Sequence, residues 1–286
     1  MAKNKNKALP RQHKIMNHPY LALVLVDILS WMVLIVLIGI EQNVFASITG
    51  PVLDALMEIL TGTIILLLYR RWFKGEFNGR LSLSTKNLKK GLLMLAPTLV
   101  FAIINLTEIK YATLTAKDVL LAFFVAIAPG LGEEVFGRIT TSNYMRVHRD
   151  GKGVVLFATI SGIVFGASHL MNLSTGAALD DILLKIFYAA GLGVLYAAVF
   201  FRTGSMLPAI LSHWFIDFTS GMTPGSSGSG LTTGDILYGL GFGVLMAAIG
   251  YWLLRKAKRD EMVEVWAEKW PAQPAAENEA PAEEAE

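Results

Sequence analysis

Residues 19–40 read PYLALVLVDILSWMVLIVLIGI, 22 consecutive positions in which Asp27 is the single charged side chain. A helix rises about 1.5 Å per residue, so a block of this length can cross a hydrocarbon core of about 30 Å. Further apolar blocks follow at 51–70, 91–106, 116–146, 153–170, 182–201, 204–220 and 235–254. Backbone amides in lipid must be satisfied within the structure, and the blocks lack the alternation of barrel strands, so each is expected to be a helix. The fold class that follows is all-α, a polytopic membrane helical bundle of about eight transmembrane helices. The third block is short and the fourth long, so the fourth is expected to tilt or to run beyond the bilayer.

Composition points the same way. The 286 residues are 53% hydrophobic and 17% charged, with a mean hydropathy of +0.50. A soluble domain carries about 25% charged residues. Of the 25 Lys and Arg, 21 fall in five segments: 3–14, 70–90, 146–152, Arg202 and 255–269. With those inside, only Lys110 and Lys117 face out, and Arg138 and Lys185 lie within spans. This bias predicts both termini in the cytoplasm of a multi-pass protein of the cell membrane. Topology accounts for the basic residues, and no Gly-rich loop joins a strand to a helix, so nucleic acid and nucleotides are not expected partners. The basic loops are expected to meet the anionic headgroups of the lipid bilayer. The absence of cysteine excludes disulfides, thiolate metal sites and a cysteine nucleophile. The first block is too long for the core of a cleavable signal, and no small-residue cleavage site follows it.

Three regions result. Residues 1–18 form a basic cytoplasmic N-terminus, 19–256 the transmembrane domain, and 257–286 a cytoplasmic tail that is acidic and expected to be disordered from about 271. Residues 71–90 mix Trp72, Phe73 and Phe77 with basic residues, as an amphipathic interfacial segment would. The stretch GMTPGSSGSGLTT at 221–233 reads as a flexible outer loop.

Ionisable groups at bilayer depth cost several kcal/mol, and three blocks carry them in patterns that suggest chemistry. The fourth contains Pro129-Gly130-Leu131-Gly132-Glu133-Glu134-Val135-Phe136-Gly137-Arg138. Glu134 and Arg138 are four apart and can pair on one face, which leaves Glu133, about 100° away, without that partner. Pro129 and its neighbouring glycines are expected to loosen the helix. The fifth block ends Phe165-Gly166-Ala167-Ser168-His169, with Gly162 and Gly166 spaced for a close helix crossing. The seventh adds His213 and Asp217, again four apart. Counting rise from the cytoplasmic ends places Glu133, His169, His213 and Asp217 in one layer, roughly 15–25 Å deep. A purely structural pairing network is the plainer account of each motif alone. Asp54, Glu58 and Lys185 are given such structural roles, and Asp27 has no evident partner.

Amide hydrolysis needs an activated water, oxyanion stabilisation and a proton for the leaving nitrogen. Glu133 suits the base, His169 the shared water or proton, and His213 with Asp217 the carbonyl or oxyanion. Two histidines and a carboxylate are also the ligands of a catalytic zinc, so a metal held by Glu133, His169, His213 and Asp217 stays open at this stage. No HExxH occurs, no GxSG lies within an apolar block (Gly225-Ser226-Ser227-Gly228 falls in the Gly/Ser-rich stretch at 221–233), and the lone Gly234-Asp235 opens a span.

The ordered set Glu133-Glu134…Arg138, Phe165…His169 and His213…Asp217 resembles the family of CAAX proteases and bacteriocin-processing enzymes (CPBP, also called Abi). Its pattern is EExxxR, FxxxH and HxxxN or HxxxD on separate membrane helices. The resemblance covers about residues 115–220 and extends to Gly204-Ser205-Met206-Leu207-Pro208 before the third motif. It implies Glu133 as the water-activating carboxylate, Glu134 and Arg138 as its supporting pair, His169 as a catalytic histidine, and His213 with Asp217 as oxyanion or metal partners. The first motif departs where family members read Phe-Arg-Gly and this chain has Gly137-Arg138-Ile139: a small residue in place of the aromatic would widen the cleft or mark lost activity.

The leading expectation is therefore an intramembrane endopeptidase acting on a membrane-associated protein or peptide, in CAAX-type or in leader or bacteriocin processing. The alternatives are a non-catalytic scaffold or self-immunity protein of the same fold, and an ion-coupled transporter. No inverted repeat favours the transporter.

Overall fold

The computed structural model describes residues 13–44, 50–71, 83–111, 113–223 and 230–269. Eleven α-helices run through them in the order α1 (Pro19–Val44), α2 (Pro51–Arg71), α3 (Leu88–Met94), α4 (Leu99–Glu108), α5 (Ala116–Val125), α6 (Ile127–Val147), α7 (Val154–Ser168), α8 (Leu179–Thr203), α9 (Leu207–Ser220), α10 (Thr233–Leu253) and α11 (Arg259–Ala267). No strand occurs among the described residues. The core of the expected interfacial segment 71–90, residues 224–229 of the outer loop at 221–233 and the tail from 271 lie outside them.

Six helical stretches are long and apolar enough to cross a membrane: α1, α2, α5 with α6 (Ala116–Val147), Val154–Leu173, α8 and α10. This is the architecture of a multi-pass membrane protein. The block at 91–106 becomes α3 and α4, which meet at 50°, so the pair adds a seventh span only if it is counted as one bent crossing. Pro97 sits at this bend and cannot donate to the preceding turn. The block at 204–220 becomes α9, whose 14 residues reach about 21 Å, too short for the hydrocarbon core. Six or seven spans thus stand where eight were expected. Gly204 explains the shortfall at α9: it takes φ +66°, ends α8 and spends part of the apolar block on a turn.

The bundle is organised around α8, which packs most extensively on α7 and α10. The GxxxG spacing of α7 does what was expected of it. A Cβ on Gly162 would stand 2.6 Å from the Ala190 carbonyl oxygen, and one on Gly166 would stand 2.5 Å from that of Ile186. Only bare glycines permit backbones this close. On the far side, α1, α2 and α6 pack together around Val26, Ile65, Phe136 and Ile139.

The basic segments gather at one end of the bundle. Arg146 donates to the Met16 carbonyl oxygen at 2.9 Å, Gly151 abuts Met262 and Arg259, and Lys90 approaches Glu261 at 3.7 Å. Arg202, at the close of α8, bonds both the Lys258 carbonyl oxygen and the Glu261 carboxylate.

Candidate active site

Helix α6 restarts at Ile127, so Pro129 falls in its first turn, where a missing N–H costs nothing. The expected loosening gives way to a regular helix whose glycines serve two crossings. A Cβ on Gly130 would stand 3.0 Å from the Trp214 backbone nitrogen, which brings α9 against α6 beside His213. A Cβ on Gly132 would stand 3.3 Å from Cγ of Glu58, and Gly62 lies against the Gly132 Cα, so α2 crosses at the next turn. The residues directly after these crossings are Glu133 and Glu134.

Glu134 is fully buried and receives Arg138 Nε at 3.2 Å, so the expected pair forms. The Arg138 guanidinium also donates to Ser161 Oγ at 3.1 Å and lies over the Phe165 ring, 4.9 Å from its centroid. The other oxygen of Glu134 accepts from His213 Nδ1 at 3.2 Å. That bond fixes the ring and turns Nε2 toward Asp217 Oδ2 at 3.4 Å and Glu133 Oε2 at 3.9 Å. His213 is thus the hub of three carboxylates, one behind it and two in front. Glu133 Oε2 is buried and has no hydrogen-bond partner among the described residues.

His169 opens the 3₁₀ turn that follows α7. Ser168 Oγ donates to the Phe165 carbonyl oxygen at 2.6 Å and lies 3.3 Å from His169 Nδ1. With its proton committed, the hydroxyl accepts from Nδ1–H, and His169 Nε2 keeps a free lone pair. Phe165 separates the two imidazoles, with ring centroids 5.7 Å from His169 and 6.0 Å from His213. Gly137 lies against that ring: a Cβ there would meet Phe165 Cδ2 at 3.4 Å, an ordinary contact, so a methyl fits while an aromatic side chain would have to displace Phe165.

Two cavities meet at Glu133 and His169. The larger, about 370 Å³, opens between α1, α2 and α6, with Glu58, Asp54 and Trp31 in its wall. The smaller, about 120 Å³, holds His213, Asp217, Lys185 and Tyr188. Glu133, His169, His213 and Asp217 therefore converge as the sequence suggested, while Glu134, Arg138 and Phe165 stand behind them. Two positions differ from expectation. Lys185, expected to be structural, lines the smaller cavity. Glu58, expected to be structural, faces the larger one. Its i, i+4 spacing to Asp54 gave no signal of this, because only the α2–α6 crossing sets it beside Glu133. Among the described residues no three His, Asp or Glu side chains are arranged to hold a metal ion, so the ligand set required by the zinc reading is not assembled and no step is assigned to a metal.

Fold and site together define a multi-pass helical protein with a carboxylate–histidine centre buried between its helices. Residues 114–219 match the family model described as type II CAAX prenyl endopeptidase, Rce1-like. That segment contains α5 to α9 and every motif residue from Glu133 to Asp217. Comparison with curated proteins and with solved structures gives no match.

Proposed function

We propose that this protein is an intramembrane endopeptidase of CAAX type, which hydrolyses a peptide bond of a membrane-associated substrate with a water activated by Glu133. The observation that carries the assignment is the convergence of Glu133, His169 and His213 on adjoining cavities, within the segment that matches a prenyl endopeptidase family. In this mechanism one hydrogen of the water points to Glu133 and the other to His169 Nε2, leaving an oxygen lone pair for the substrate carbonyl carbon. As the C–O bond forms, Glu133 takes the water proton. His213 Nε2–H, held in place by Glu134 and Asp217, donates to the oxyanion. Collapse of the tetrahedral intermediate breaks the C–N bond, and the proton passes from Glu133 to the leaving amine. The basic end of the bundle is placed in the cytoplasm, which puts both described chain ends on that side.

A scaffold without catalysis has Gly137 as its only support, and the seat of Phe165 against Gly137 gives that residue a packing role instead. The test uses the full-length protein in bilayers and a peptide ending in a prenylated CAAX sequence, with cleavage read by fluorescence of the released C-terminal fragment. Wild type should cleave it, and Glu133→Gln should fall by at least a thousandfold at unchanged abundance. Full activity in Glu133→Gln would remove Glu133 from the reaction.

A further inference from the structure

Glu58 lies on α2, outside the segment that matches the family model. Its side chain is partly buried, and Oε1 is buried with no hydrogen-bond partner among the described residues. The side chain presses against Gly132: a Cβ on that glycine would stand 3.3 Å from Glu58 Cγ and 3.5 Å from Oε1. The neighbouring residue is Glu133, whose Oε2 is likewise buried and partnerless. Both carboxyls line the same cavity of about 370 Å³, which has ample room for water. Two like-charged carboxyls that face one cavity repel each other unless a proton lies between them. A packing role does not explain this placement, because an apolar side chain at 58 would fill the same space without orphaning an oxygen.

We infer that Glu58 is a positioning residue of this site, holding a proton in a hydrogen bond shared with Glu133 through the cavity and so fixing the base against the attacking water. The inference rests on the peptidase assignment for its kinetic consequence but not for the hydrogen bond itself. No covalent step is added: Glu133 still takes the water proton, and Glu58 fixes the direction of its lone pair. Asp54, exposed on the outer turn of α2, faces the same cavity and is the nearer control for a general effect of charge.

The test has two arms on the full-length protein. In the first, infrared difference spectra record the carboxyl C=O stretch of wild type, Glu58→Gln, Glu133→Gln and Asp54→Asn. A shared hydrogen bond requires that Glu133→Gln shift the band lost in Glu58→Gln, and that Asp54→Asn leave it in place. A Glu58 band indifferent to residue 133 overturns the inference, whatever the substrate. In the second arm, cleavage of the prenylated peptide should show kcat lowered tenfold or more in Glu58→Leu with KM within twofold. Glu58→Gln, whose amide still donates, should retain the larger share. Wild-type kcat in Glu58→Leu overturns the inference. Failure of wild type to cleave the peptide counts against the proposed function alone, since the infrared arm stands without substrate.

Discussion

Replacing Arg138 by Met should be among the most damaging changes in this protein, and replacing Glu134 with it should undo most of the damage. Arg138 and Glu134 have no exposed surface and meet at 3.2 Å. Removing one member leaves the other charged in the interior, at a cost of about 3–5 kcal/mol. The two single variants, Arg138→Met and Glu134→Met, should therefore total about 6–10 kcal/mol. In the double variant neither charge remains, and apolar side chains of similar length fill the space. What persists is His213 Nδ1 without its acceptor, about 1–3 kcal/mol. The gap between sum and double variant is several kcal/mol, well above measurement error. Chemical unfolding in mild detergent supplies the four stabilities of the cycle. Activity should behave differently, because His213 loses its orientation whenever Glu134 is missing. The two variants that lack Glu134 should lose at least about a hundredfold in kcat, equivalent to roughly 2.7 kcal/mol of barrier. Additive destabilisation in the double variant would refute a directly coupled buried pair. Recovery of activity together with stability would refute the orienting role of Glu134.

Two further outcomes follow from particular contacts. Gly137→Ala places a methyl at ordinary contact distance, 3.4 Å from Phe165, and should keep cleavage within about twofold, whereas Gly137→Phe must displace the Phe165 ring and should lower kcat at least tenfold in the same assay. At the basic end of the bundle, hydrogen bonds from Lys258 and Arg202 hold the Glu261 carboxyl down to about 2, against an ordinary value of 4.5. A carboxyl lowered on folding contributes stability above its unfolded value and loses it as pH falls through the folded one. The docking of α11 should thus persist to about pH 4.5 and weaken toward pH 2, as followed by the fluorescence of Trp266 in a variant that keeps it as sole tryptophan. Glu261→Gln should weaken docking already at neutral pH.

Much of the site could be read without coordinates. The i, i+4 pairs Glu134–Arg138 and His213–Asp217 depend only on helical periodicity, and the structure contains both. The Gly162 and Gly166 spacing announced a close crossing, and α8 supplies it. The partner of each crossing was not legible. Gly130 and Gly132 looked like helix-loosening residues beside Pro129, yet they are the contact points of α9 and α2. Glu58 was missed for the same reason, because nothing near it in sequence points to Glu133. The span count erred at 204–220, where mean apolarity conceals the turn at Gly204 that shortens α9.

Sequence by itself determined that the chain is helical and membrane-spanning, and which polar residues share a helix face, because lipid leaves the backbone no alternative and periodicity fixes neighbours within a helix. Tertiary structure decided that His213 Nδ1 binds Glu134 while Nε2 looks toward Glu133 and Asp217, and that α2 brings Glu58 to the same cavity. Those relations depend on how close two helices come and at what angle. Side-chain volumes summed over many contacts set both, and no local stretch of sequence contains that sum.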